Sequence, residues 1–108
     1  MRFQVDAEDD DFKAEAAAAL GLLAARPGYR GGQLIRAFDE PGHWCLVTEW
    51  GSVGDYRRAL GSYEVKAGAT PLLSRALPEP SAFEPLAEAG PGGPVTLHDS
   101  DRSIASRT

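Results

Sequence analysis

Two aromatic side chains, Trp50 and Tyr56, are the residues whose type and spacing best suit a ligand site. Trp50 ends a segment of β type, and Tyr56 lies early in the helix predicted to follow it. Large aromatics where a sheet meets a helix suit a pocket for a flat apolar ligand. On the two strands before this helix, Arg36 could steady negative charge, and His43 could act as a general base because imidazole exchanges protons near neutral pH.

Each of these residues also has a purely structural explanation. Trp50 could be ordinary core between sheet and helix, and Tyr56 could form a hydrogen bond at the surface. Arg36 could form a salt bridge with a carboxylate such as Glu49, and His43, which lies beside a turn, could be exposed to solvent. The residue types alone leave both explanations open.

A predicted hairpin positions these side chains. Two segments of β type, Tyr29–Phe38 and His43–Trp50, flank the breaker Asp-Glu-Pro-Gly at 39–42. Strand alternation places Leu34, Arg36 and Phe38 on one face of the first strand. On one face of the second it places Trp44, Leu46, Thr48 and Trp50. The predicted substrate-binding residues are Trp50, Leu46, Leu34 and Phe38.

The other predicted elements complete a β-α-β-β-α-β order. A strand is predicted at 1–6, and a helix follows that starts at the acids of 8–11 and buries a stripe of Phe12, Ala16, Ala19, Leu20 and Leu23. The S-x-x-D spacing of Ser52 and Asp55 predicts a helix to about Leu60, and Ser62 caps a second segment from Tyr63 towards Leu77 with a break at Pro71. A last strand is predicted at Ser81–Leu86. The order is that of a ferredoxin-like α+β fold, an antiparallel sheet with both helices on one face.

The predicted domain covers residues 1–88. Residues 89–108 read as a flexible Gly/Pro linker and a polar tail, either disordered or lying on a partner subunit. One sheet face would be left bare, and a chain of 108 residues cannot leave that much apolar surface in water. A homodimer formed through this face is therefore expected.

Composition and charge exclude several classes of function. A net charge of −5 argues against nucleic acid or anionic membrane as a partner, because both need a basic patch. The single cysteine excludes an internal disulfide, the acidic start of the chain is unlike a signal peptide, and no apolar stretch is long enough to span a membrane. A cytoplasmic protein is therefore expected. Two separated histidines and one cysteine offer no His/Cys zinc site, and there is no phosphate-binding glycine loop or nucleophile elbow.

Three longer runs carry a family resemblance: PGYRGGQLIRAFDEP at 27–41, LVTEW at 46–50 and SVGDYRRAL at 52–60. With PLLS and PSAFE further on, the chain resembles the antibiotic biosynthesis monooxygenase family over roughly residues 3–87, and is similar to an actinobacterial member. The resemblance implies a dimeric α/β barrel and oxidation of a polycyclic aromatic phenol or quinol by O₂, with no metal, flavin or haem. It also implies that Trp50 packs on the ring, Tyr56 binds its oxygen substituent and Arg36 steadies a phenolate.

At one position the chain departs from the family pattern. Where the family has an asparagine, four residues before the tryptophan, this chain has Leu46, and it contains no asparagine at all. Leucine cannot form a hydrogen bond with a substrate hydroxyl. Two alternatives to the oxygenase therefore stay open: a non-catalytic dimeric protein that binds a hydrophobic small molecule, and a haem-binding or haem-degrading protein, which would need His43 in the pocket.

Overall fold

The computed structural model describes residues 1–6, 10–100 and 102, and has the predicted mixed α+β character. The strands are β1 (Arg2–Gln4), β2 (Tyr29–Arg36), β3 (His43–Trp50), β4 (Ala87–Ala89) and β5 (Val95–Leu97). The helices are α1 (Asp10–Ala24), α2 (Val53–Gly61), α3 (Tyr63–Gly68) and α4 (Thr70–Leu73). Within the described residues, no helix is long and apolar enough to cross a membrane.

The main sheet is antiparallel, with the strand order β1-β3-β2. Phe3 pairs with Trp44, and Leu34 pairs with Leu46, so the large apolar side chains of all three strands share one face. This is the arrangement of the ferredoxin-like fold, with the central β3 between β1 and β2. A register shift between Tyr29 and Gly31 interrupts the pairing of β2 beside Trp50.

The core lies between this face and the helices. Its aromatic centre consists of Phe3, Phe12 and Trp44. The ring centroid of Phe12 lies 5.2 Å from that of Phe3 and 5.3 Å from that of Trp44. Helix α1 contributes Phe12, Ala16, Ala19 and Leu23 from a single stripe, as predicted, while Leu20 is half-buried. Small residues at two positions of this stripe let the helix approach the sheet closely.

Local capping sets the start of α2. The Ser52 hydroxyl accepts a hydrogen bond from the Asp55 amide at 3.1 Å, which confirms the predicted capping box position. Ser62 caps α3 in the same way through the Val65 amide. The predicted break in the second segment is present, but it lies at Ala69, because Pro71 is accommodated in the first turn of α4. At the start of α1, Glu8 and Asp9 lie outside the described residues.

The strand predicted at Ser81–Leu86 is wrong. No strand forms there, and two short strands, β4 and β5, pair with each other instead of with the main sheet. Pro80 and Pro85 lack the amide hydrogens that a fourth strand beside β1 would need. Before these prolines, the Leu77 amide donates a backbone hydrogen bond to the Arg2 carbonyl. The glycine- and proline-rich stretch at 90–94 forms the turn between β4 and β5, helped by the positive φ of 65° at Gly92.

Two features of the sheet matter below. Met1 and Leu46 exchange backbone hydrogen bonds of 2.9 and 2.8 Å, and beyond Leu46 no strand of the described chain pairs with β3 on this side. The face turned away from the helices carries Ile35 and Val47, 44% and 41% exposed, with the half-buried Cys45 between them.

Candidate functional site

A cavity of about 470 Å³ opens where the end of β3, the start of α2 and the C-terminal segment meet. Trp50 and Tyr56 both line it. Binding pockets for small molecules are typically about 300–1,000 Å³, so the volume suits a fused aromatic ring system. The sequence placed these two residues at a pocket, and in the structure they share one.

Trp50 lies between two tyrosines at the cavity wall. Its ring centroid is 5.4 Å from that of Tyr29, in an edge-to-face arrangement, and 5.8 Å from that of Tyr56. The indole Nε1 donates a hydrogen bond to the Thr48 hydroxyl at 2.8 Å, two residues back on the same strand face. The indole is thus fixed in orientation while remaining half-buried at the cavity.

Tyr56 is held more tightly than Trp50. It is only 8% exposed, and its hydroxyl donates to the Ser81 Oγ at 3.2 Å. Tyr56 lies in the first turns of α2, so the Ser52 cap fixes its position relative to the end of β3. The hydroxyl can still accept a hydrogen bond from a ligand, since a phenolic oxygen both donates and accepts.

Much of the remaining cavity lining is charged. Charged side chains from two parts of the chain line the cavity, namely Arg30, Glu49, Glu84, Glu88, His98 and Asp99. His98 Nε2 and Glu88 Oε2 lie 2.9 Å apart, and the Ser100 hydroxyl donates to Glu84 at 2.5 Å. Phe83, which also lines the cavity, is 80% exposed and offers a second aromatic face.

A smaller cavity of about 220 Å³ adjoins the first and shares Thr48, Tyr56, Ser81 and Phe83 with it. Leu46 lines this smaller cavity. Leu46 is 4% exposed and belongs to the hydrophobic core, so its side chain adds apolar wall and no hydrogen-bonding group. The departure from the family pattern therefore lies in the smaller cavity that adjoins the site.

Five predicted site residues do not line the larger cavity: Leu46, which lines the smaller one, and the four that follow. Arg36 lies over the Trp44 ring, its Cζ 5.2 Å from the centroid, and pairs with Trp44 in the sheet. Trp44 and Trp50 are six residues apart on one strand, or about 20 Å at the usual rise. His43 lies on the other face of the sheet, 3.2 Å from Glu40, while Phe38 is 99% exposed in the hairpin loop and Leu34 packs against the core.

Other residues reach the cavity without having been singled out in the sequence. Arg30 lies at the register shift of β2, where strand alternation no longer predicts which way a side chain points. Phe83, Glu88 and His98 come from the C-terminal segment, which the composition had assigned to an edge strand and a tail. A glycine- and proline-rich turn followed by the β-type residues Val95 and Thr96 was the available signal for the hairpin.

An ion pair between Asp55 and Arg58 lies at the start of α2, next to the cavity residue Tyr56. The Arg58 guanidinium bonded to Asp55 at 2.6 Å, with further help from Ser52 and Arg30, holds the pKa of the Asp55 carboxyl below its usual range. Within the described residues, no group of three or more His, Cys, Asp or Glu side chains is placed to hold a metal ion.

Comparison with known proteins places this fold and site in context. The family model described as antibiotic biosynthesis monooxygenase matches residues 1–70. A conserved protein from Methanosarcina mazei Go1 superposes with a TM-score of 0.59 at 20% identity, covering 73% of this chain and 78% of its own. Two structures of SnoaB, a cofactor-independent oxygenase from Streptomyces nogalater, one of them a mutant, each superpose with a TM-score of 0.61 at 19% identity. Each match covers 95% of this chain and 90% of the SnoaB chain. No curated protein sequence matches the chain.

Proposed function

Because this chain belongs to the antibiotic biosynthesis monooxygenase family, we propose that it is a cofactor-independent oxygenase of hydroxylated polycyclic aromatic compounds. The observation that carries the proposal is the cavity lined by Trp50 and Tyr56, large enough for two or three fused rings. The fold likeness to SnoaB, described as a cofactor-independent oxygenase, supports the same class of reaction.

The proposed chemistry needs little from the protein. An ionised phenol is electron-rich enough to transfer an electron to O₂, after which one oxygen atom enters the ring carbon opposite the hydroxyl and the other leaves as water. A phenol and O₂ thus give a quinone and water with no external reductant. The protein must bind the ring, stabilise the phenolate and limit access of water.

The residues at the cavity suit these tasks. Trp50 and the exposed Phe83 offer aromatic faces on which fused rings can stack. The Tyr56 hydroxyl can bind the oxygen substituent of the ring. Arg30, rather than the predicted Arg36, is the guanidinium that lines the cavity and can steady a phenolate.

The charge of the cavity narrows the substrate class. Among the residues that the structure describes, four carboxylates and one guanidinium line it. A substrate carrying its own carboxylate would be repelled, because like charges a few ångströms apart in a partly dry site oppose each other. We therefore expect neutral phenols, such as naphthols and anthrones, to bind better than their carboxylated analogues.

Oxygen uptake tests the proposal. Purified, metal-free protein incubated under air with a panel of naphthols, naphthalenediols and hydroxyanthrones should consume O₂ and form the corresponding quinones. Trp50→Ala and Tyr56→Phe should lower the rate, while Tyr63→Phe, an 81% exposed tyrosine outside the cavity, should not. Unchanged rates in both cavity variants would refute the assignment of the site.

A non-catalytic binding protein is the second candidate. It is favoured by Leu46, which adds an apolar side chain to the adjoining smaller cavity where the family has an amide. Binding of panel compounds without O₂ consumption would favour this candidate. The haem alternative required His43 in the pocket, and His43 lies on the opposite face of the sheet.

The proposed assembly is a homodimer formed through the outer sheet face. Ile35 and Cys45 are cross-strand neighbours there, and Val47 continues the apolar row. Size-exclusion chromatography with light scattering should show a dimer, and Val47→Lys should shift it towards monomer. A monomeric wild-type protein at micromolar concentration would contradict this assembly.

A further inference from the structure

The C-terminal hairpin brings a histidine and a carboxylate to the cavity as a pair. His98 and Leu86 are backbone partners, since the His98 amide donates to the Leu86 carbonyl at 2.9 Å, and Glu88 pairs with Thr96. Residues 86, 88, 96 and 98 therefore share one face of the hairpin, where diagonal neighbours can touch. Both His98 and Glu88 line the cavity, whereas Leu97, on the other face, is 79% exposed.

The contact with Glu88 determines which nitrogen of His98 carries its hydrogen. A carboxylate can only accept a hydrogen bond, so the Nε2 that lies 2.9 Å from Glu88 Oε2 must be the protonated nitrogen. In the neutral imidazole, Nδ1 is then the free acceptor. A histidine oriented by a carboxylate through one nitrogen, with the other nitrogen free, is the arrangement of a general base.

We propose that His98 is the base that ionises the substrate hydroxyl in this cavity, with Glu88 as its positioning residue. The inference rests on the oxygenase function proposed above. In the step, the O–H bond of the phenol breaks, the electron pair stays on oxygen, and the proton passes to Nδ1 of His98. The products are a phenolate and an imidazolium whose new charge Glu88 stabilises.

The surroundings of His98 explain why such a base is useful here. The titratable groups that line the same cavity beside it are Glu49, Glu84, Glu88, Asp99 and Arg30. With four carboxylates nearby, a phenolate alone would be disfavoured, while a phenolate beside an imidazolium is a neutral pair. The proton must therefore remain on a neighbouring group, and His98 is the histidine at the cavity.

The His98–Glu88 pair should contribute little to the stability of the fold. Their side chains are 39% and 63% exposed, and exposed ion pairs contribute about 0–1 kcal/mol. Substitution at either position should leave the protein folded. The chain also supplies a matched control: His43 and Glu40 form a pair of the same chemistry, 3.2 Å apart, away from this cavity.

The test uses 4-nitrophenol, a phenol about as acidic as an imidazolium, whose anion absorbs visible light while its neutral form does not. At a pH where the free probe is mostly protonated, wild-type protein should bind it and raise the anion fraction. His98→Gln should bind the probe with similar affinity but leave the anion fraction at that of the free probe, and Glu88→Gln should fall between them. His43→Gln should match the wild type.

Turnover gives the second readout. With an active naphthol from the panel, His98→Gln should lower kcat on the order of 100-fold, the usual effect of losing a general base, with little change in KM. An anion fraction and a kcat equal to those of wild type in His98→Gln would overturn this inference alone. His98-dependent ionisation without O₂ uptake by any compound would support the base and refute the oxygenase, and failure of the probe and the panel to bind would refute both.

Discussion

Phe83 allows the cavity to be tested separately from the fold. Its side chain is 80% exposed although it lines the cavity, so it contributes little to folding and is available to a ligand. Fully burying a phenylalanine side chain is worth about 1.5–3 kcal/mol, and a ring stacked on one face would cover roughly half of it. Phe83→Ala should therefore weaken binding of an aromatic ligand by about 1 kcal/mol, or roughly five-fold in Kd.

The assay is a titration of the protein with 1-naphthol, followed by quenching of tryptophan fluorescence, with urea unfolding measured in parallel. Phe83→Ala should change the free energy of unfolding by less than about 0.5 kcal/mol, because it removes an exposed side chain. Phe38→Ala is the matched control, since Phe38 is 99% exposed and does not line the cavity. Equal Kd values for Phe83→Ala and wild type, or an equal loss in Phe38→Ala, would refute the reasoning.

Further predictions concern the segment that positions Tyr56. Gly28→Ala should lower the free energy of unfolding by about 1–3 kcal/mol, because Gly28 has a φ of 88° and an added Cβ would lie 2.4 Å from the Asp55 Cγ. Gly21→Ala, on an open helix surface, should instead raise the free energy of unfolding by about 0.5–1 kcal/mol. Ser52→Ala should lower the free energy of unfolding by about 1 kcal/mol through loss of the helix cap, and Ser52→Asp should retain most of the stability. Urea unfolding checks the two glycine variants and the two Ser52 variants. Asp55→Asn should be less stable than wild type at pH 7. This difference should shrink as the pH falls through the lowered pKa of Asp55, because the wild-type carboxyl then becomes protonated too; a difference that does not shrink with falling pH would contradict this.

Local signals predicted the elements that carry Trp50 and Tyr56. Strand alternation and a short breaker define the β2–β3 hairpin, and a serine three residues before an aspartate defines the start of α2. Both aromatics lie within a few residues of these signals. Their proximity in the structure therefore follows from a short stretch of chain.

The charged residues of the cavity lining come together through contacts that no local sequence pattern encodes. Glu88 and His98 reach the cavity because a hairpin far along the chain packs beside the end of β3, and the prolines at 80 and 85 keep the intervening segment out of the main sheet. Arg36 was predicted for the site from its strand face alone, but it pairs with Trp44, six residues before Trp50 along β3. Long-range packing and a bulge are the two features that sequence periodicity cannot supply.

The pairing of Met1 with Leu46 has a practical consequence for handling the protein. In the register that joins Arg2 to Cys45, any residues placed before Met1 would continue antiparallel along β3, and the second of them would come opposite Thr48. An affinity tag fused at the amino end would thus extend β1 alongside Thr48, which lines the cavity, and is expected to interfere with the binding of small molecules. Tags for ligand screening are therefore better removed from the amino end before the assay.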